Sequence, residues 1–166
     1  MKLFSANVED LRSLYVTELQ KALDMEQKIT KALPDLIQAC SDPDLSAAFR
    51  NHLEQTRGHV DKVERLLRGH TGEASTETCK VINGLTTAAS DTIKDVTDPS
   101  IRDIALIGAA QQVEHHEIAV YGTLRRWAEL LNLQDTAVLK SIETDEVKAD
   151  ELLTNISRRV NLQAAA

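Results

Sequence analysis

The chain has little that turns or staples a backbone. Its 166 residues include six glycines, three prolines and two cysteines. Tight turns have few places to form, which disfavours a sheet built from many hairpins. Cys40 and Cys79 lack metal-ligand spacing and give no sign of a disulfide framework, so they read as free, buried or half-buried thiols. Aromatic residues are also scarce, at 3%. Positive charge is in deficit: 19 Lys and Arg face 26 Asp and Glu, for a net charge of −7. A nucleic-acid partner needs a basic footprint, and none is present. No apolar run approaches the ~20 residues of a membrane span. The N-terminal "MKLFSANVEDL" lacks the apolar core of a signal peptide. A hydrophobic content of 42% argues against disorder. The expectation is one domain over 1–166, in the reducing cytoplasm, with no membrane and no nucleic acid as partner.

What remains is helical periodicity. Leu11, Leu14, Glu18, Ala22, Met25, Ile29, Leu33 and Leu36 recur at three- and four-residue steps, predicting a first helix over about 8–39. Asn7 is its expected N-cap, with Glu9 and Asp10 in the first turn. Pro34 predicts a kink or an early frayed end. "CSDPDL" then breaks the chain. Asp42 caps and Pro43 opens a second helix over about 43–68, ended by Gly69. A weaker pattern, rich in Thr, Ser and Ala, covers about 77–94. Asp98 and Pro99 repeat the cap-and-proline signal for a helix over about 99–131. "NLQD" connects it to a last long helix over about 136–160, with Asp135 as cap and a fraying tail beyond. Long helices joined by short connections are antiparallel neighbours. The fold class is therefore all-α: a four-helix bundle of two hairpins, with a short extra helix in the crossover.

The stretch "QVEHHEIAVYG" sets two carboxylates, Glu114 and Glu117, among apolar residues. Residues nearly equidistant from a hairpin turn share a level, since a helix rises ~1.5 Å per residue. Glu26 and Glu54 meet that condition about the turn near Ser41. Glu117 with Glu146, and Glu114 with Asp150, meet it about the turn near Leu133. Glu146 and Asp150 follow the apolar stripe of the last helix, and Glu114 that of the helix before it. Glu54 falls at the edge of its stripe, beside Leu53. Six ionised carboxylates converging in a core need compensation. Cations, or pairing with Lys or Arg such as Arg57 and Lys148, would provide it; failing both, the acids do not converge. Two divalent cations supply four positive charges, and an oxygen-rich set favours iron, manganese or magnesium. His59, level with Glu26, is open between ligand and donor to a ligand. Tyr121, one turn beyond Glu117, is a packing residue that could hydrogen-bond a ligand carboxylate. His115 and His116 read as surface or rim.

The segments "MEQKITKALPDL", "NHLEQTRGHVDKVE", "DIALIGAAQQVEHHEIAVYGTL" and "DEVKADELL" resemble the YciF/YciE stress-protein family of the ferritin-like superfamily. The resemblance covers about 8–157. It implies a ferritin-like bundle with a dinuclear metal site, and a homodimer. The family's acidic positions fall on Glu26, Glu54, Glu114, Glu117, Glu146 and Asp150. The implied cofactors are two divalent ions, iron or else manganese, with O2 or peroxide as the small-molecule partner. Ferritins and rubrerythrins use Glu-x-x-His on a metal-binding helix. Here Arg57 follows Glu54 and Ala149 follows Glu146, so the expected site is histidine-poor. Two further readings stand beside this one: a non-catalytic helical scaffold or dimer module, and a storage cage, for which the chain has no contact signature.

Overall fold

The computed structural model describes residues 8–164. Five helices follow one another: α1 (Leu11–Ala39), α2 (Pro43–Thr71), α3 (Lys80–Asp95), α4 (Pro99–Leu130) and α5 (Thr136–Ala164). No strand occurs among the described residues. Helix α1 packs along α2 and α4 along α5, as the short connections require. The hairpins then meet through α1 with α4 and α2 with α5, closing a four-helix bundle. Helix α3 lies over the α1–α4 side, in contact with both.

The helix ends show which polar groups the backbone uses. Asp10, not Asn7, caps α1: its carboxylate accepts from Ser13 N–H while the Ser13 hydroxyl accepts from the Asp10 N–H. Asn7 lies outside the described residues. Because Asp10 is the cap, neither it nor Glu9 belongs to the first turn. Helix α1 continues through Pro34 to Ala39. Leu33 and Leu36 are buried on either side of the proline, so packing holds the turn that lost a ladder bond. Asp42 and Asp98 cap α2 and α4 through paired backbone N–H groups, each followed by proline, as expected. Helix α2 passes Gly69 and stops at Gly72, whose φ of 83° is the left-handed conformation that glycine adopts without strain. Asp135 begins α5 through its carbonyl, which accepts from Leu139 N–H at 3.0 Å. Its carboxylate is engaged instead by the Tyr15 hydroxyl and by His70, each at 2.6 Å. Helix α5 extends to Ala164, beyond the expected fraying point.

Tyr15, Leu19, Leu23, Leu67, Leu124, Leu139 and Ile142 are fully removed from water. Burying a side chain of this size stabilises the fold by ~1.5–3 kcal/mol, so these residues carry the end of the bundle where α1 and α5 begin, and Leu33, Leu36, Leu45, Leu106 and Ile156 fill the bundle's opposite end. Its middle is different: there the buried residues include Glu26, His52, His59, Glu114, Glu117 and Glu146.

Candidate metal centre

Helix α2 places two imidazoles on its inner face. Phe49, His52, Thr56, His59 and Val63 recur at alternating three- and four-residue steps, and all are buried. Helix α4 contributes Glu114 and Glu117, α1 contributes Glu26, and α5 contributes Glu146. Two overlapping groups result: His52, Glu114, Glu117 and Glu146, and then Glu26, His59 and Glu146. Within each group, one ligand atom per residue lies within 4.8 Å of every other. Ligands bound at about 2.0–2.2 Å to one ion lie no more than about 4.4 Å apart, so small side-chain adjustments would bring each set onto one ion.

Glu146 belongs to both groups. Its Oε1 lies 2.8 Å from His59 Nδ1, and its Oε2 lies 3.8 Å from His52 Nδ1. His52 Nε2 faces Glu114 Oε1 at 3.4 Å and Glu117 Oε2 at 3.9 Å. On the far side of the His59 ring, Nε2 lies 3.3 Å from Asp145 Oδ2. An Nε2–H donating there leaves the Nδ1 lone pair facing inward. Tyr121 donates its hydroxyl to Glu26 Oε1.

Most of these polar atoms are otherwise without partners. Glu26 Oε2, both nitrogens of His52, His59 Nδ1, Glu114 Oε2 and both carboxylate oxygens of Glu117 and Glu146 are buried without a hydrogen bond. The close His59–Glu146 approach meets the distance for a hydrogen bond but not its alignment. Among the described residues no Lys or Arg forms a salt bridge with the four glutamates. Burial, reinforced by Glu146 and opposed by His59 and Tyr121, pushes the Glu26 carboxyl up to about 8. Burial and then Glu146 also push Glu114 and Glu117 well above the usual carboxylate range. Burial pulls His52 down. It also acts to lower His59, but contact with Glu146, the charges of Glu26 and Glu146 and the hydrogen bond to Asp145 outweigh it and raise that ring.

Of the six acids singled out from sequence, Glu26, Glu114, Glu117 and Glu146 come together here. Glu54 does not. It sits two positions past His52, outside the inward stripe, with its side chain 70% exposed and paired to Arg57. Asp150 lies beside the cluster rather than in it. It accepts from Gln111 Nε2 at 3.1 Å and faces His115 at the surface. The site is also not histidine-poor. His52 and Asp145 lie outside the Glu-x-x-His spacing of ferritins and rubrerythrins, so that pattern does not point to them. The His52–Thr56–His59 spacing was the available signal; Asp145 had none. His115 is exposed, while half-buried His116 turns toward Cys79, with Nε2 and Sγ 3.6 Å apart.

A four-helix bundle carrying acids and imidazoles from four helices at its waist defines the class: a ferritin-like protein with a buried carboxylate–histidine cluster. The chain belongs to the family described as domain of unknown function DUF892, whose model matches residues 10–166. It is 34% identical to protein YciF of Escherichia coli K12 over 161 residues, 95% of this chain and 97% of that protein. The crystal structure of the E. coli stress protein YciF superposes with a TM-score of 0.87 at 32% identity, covering 92% of this chain and 98% of that one. YcfI of Rhodopseudomonas palustris superposes with a TM-score of 0.88 at 33% identity, covering the same shares. A Xanthomonas campestris protein at 21% identity and a TM-score of 0.72 shares the fold. No described helix is long and apolar enough to cross a membrane.

Proposed function

We propose that this is a stress-associated ferritin-like protein that holds two divalent ions at the bundle waist. One would be held by His52, Glu114, Glu117 and Glu146, the other by Glu26, His59 and Glu146, with Glu146 shared. The observation that carries this reading is the set of buried, unpartnered carboxylate and imidazole atoms converging, among the described residues, without a Lys or Arg salt bridge. Each such atom left bare costs about 1–3 kcal/mol, and a cation satisfies several at once. Mixed carboxylate and imidazole donors suit iron and manganese. Bound iron would supply one-electron redox chemistry toward O2 or peroxide.

The chain's own residues prepare that centre. Asp145 fixes the His59 ring with Nδ1 inward, and Tyr121 holds one oxygen of Glu26. The raised carboxyls hold protons until a cation displaces them, so binding releases protons to solvent. A stress role is supported by similarity to the stress protein YciF. Elemental analysis of freshly purified protein tests the centre. Two ions per chain are expected, with losses in Glu114→Ala and Glu146→Ala; equal, substoichiometric metal in all three ends the reading. Sedimentation tests the homodimer that the family resemblance implies.

A further inference from the structure

Helix α3 covers the α1–α4 side of the bundle, whereas among the described residues no further helix covers the α2–α5 side. A cavity of about 400 Å³ opens there. Its floor is His52 and Glu114, each more than nine-tenths buried and each with unpartnered atoms. Phe49 and Leu153 line its depth, and Leu152, 44% exposed, lines its outer wall. At the mouth stand Asn51, Gln55 and Lys148, whose side chains make no hydrogen bond or salt bridge among the described residues. Glu54, the mouth's acid, is already paired with Arg57. Among the described residues no carboxylate forms a salt bridge with Lys148.

The size and chemistry of this space decide what it fits. O2 or peroxide would fill a small part of it, while pockets of ~300–1,000 Å³ suit organic ligands. Apolar walls need a hydrocarbon body. The amides and the ammonium need an acceptor-rich, negatively charged head. We propose that the α2–α5 cavity binds a small amphipathic organic anion, its head at Lys148, Asn51 and Gln55 and its body along Phe49, Leu152 and Leu153. The far end of the body then lies over His52 and Glu114. The metal reading determines only what lies beneath that end; binding itself does not need the ions.

Straight-chain carboxylates are the probe. Butanoate, hexanoate and octanoate are titrated into the full-length, isotope-labelled protein, both chelated and metal-loaded, with octanol as the uncharged control. Saturable amide shifts are expected on α2 around Asn51 and on α5 around Leu152. Affinity should rise about fourfold per added methylene. Lys148→Gln should weaken octanoate about fivefold and leave octanol unchanged. Leu152→Asn should flatten the chain-length series. The proposal is overturned by scattered shifts, by affinity independent of chain length, or by octanoate binding indifferent to Lys148→Gln. It is also overturned if Leu152→Asn dissociates an assembly in sedimentation, since a second copy would then cover this face. Metal content measured on the same samples reports the metal centre separately.

Discussion

Tyr121 on α4 donates its hydroxyl to Glu26 on α1, where both side chains are completely buried. This contact ties the two hairpins together at one end of the polar cluster. The phenol satisfies one oxygen of Glu26 and leaves the other directed at the cluster without a hydrogen bond. Tyr121→Phe keeps the ring and removes the donor. A loss of about 1–3 kcal/mol in urea unfolding is expected, with weaker metal retention at the Glu26 end. An unchanged unfolding midpoint would mean that the hydrogen bond contributes nothing net.

Glu146 and Glu54 make the sharpest contrast among the acids. Glu146 belongs to both ligand groups, whereas Glu54 lies at the surface. On the two-ion proposal, Glu146→Gln should strip both ions, His52→Ala should chiefly remove one, and Glu54→Gln should leave metal content at the wild-type level. Elemental analysis of the three variants checks this order. Equal losses in Glu54→Gln and Glu146→Gln would refute the assignment.

The residues explain how far sequence reached. Asp-Pro pairs at Asp42 and Asp98 fixed two helix starts, because cap and proline act on the local backbone alone. Gly69 misled because an exposed glycine is tolerated within a long helix; the left-handed residue that ends α2 is Gly72. Levels along the hairpins brought Glu26, Glu114, Glu117 and Glu146 together. Level alone could not exclude Glu54, whose facing differs from that of His52 by two residues, or about 200° around the helix. Asp145 depends on where the His59 ring points, which no spacing rule conveys.

Asp103, buried on α4, clasps the turn between α1 and α2. Its carboxylate accepts from Ser41 N–H at 2.8 Å, the Ser41 hydroxyl at 2.6 Å and Asp42 N–H at 2.9 Å. Asp103→Ala would bare two backbone donors at a helix–helix junction. A destabilisation of about 2–4 kcal/mol is expected, without change in metal stoichiometry. Chemical denaturation paired with elemental analysis would distinguish this structural clasp from the metal centre.

The raised carboxyls set a pH dependence whose sign is opposite to that of surface acids. Glu26 moves from an ordinary value of 4.5 to about 8 in the folded protein. Between those values the folded chain keeps a proton that the unfolded chain has lost, so stability falls as pH rises. Glu114 and Glu117 act in the same direction, and raised His59 adds to it as pH climbs above the ordinary histidine value. His52, lowered by burial, works the other way, but only below the ordinary histidine value. Chelated protein should therefore melt at progressively lower temperature from about pH 5 to about pH 8. Bound cations replace those protons and favour the ionised carboxylates, so the metal-loaded protein should show a flattened or reversed trend. Thermal melts across this range, with and without chelator, read both slopes. A chelated melting temperature that rises with pH would mean that these carboxyls are not uncompensated inside the fold.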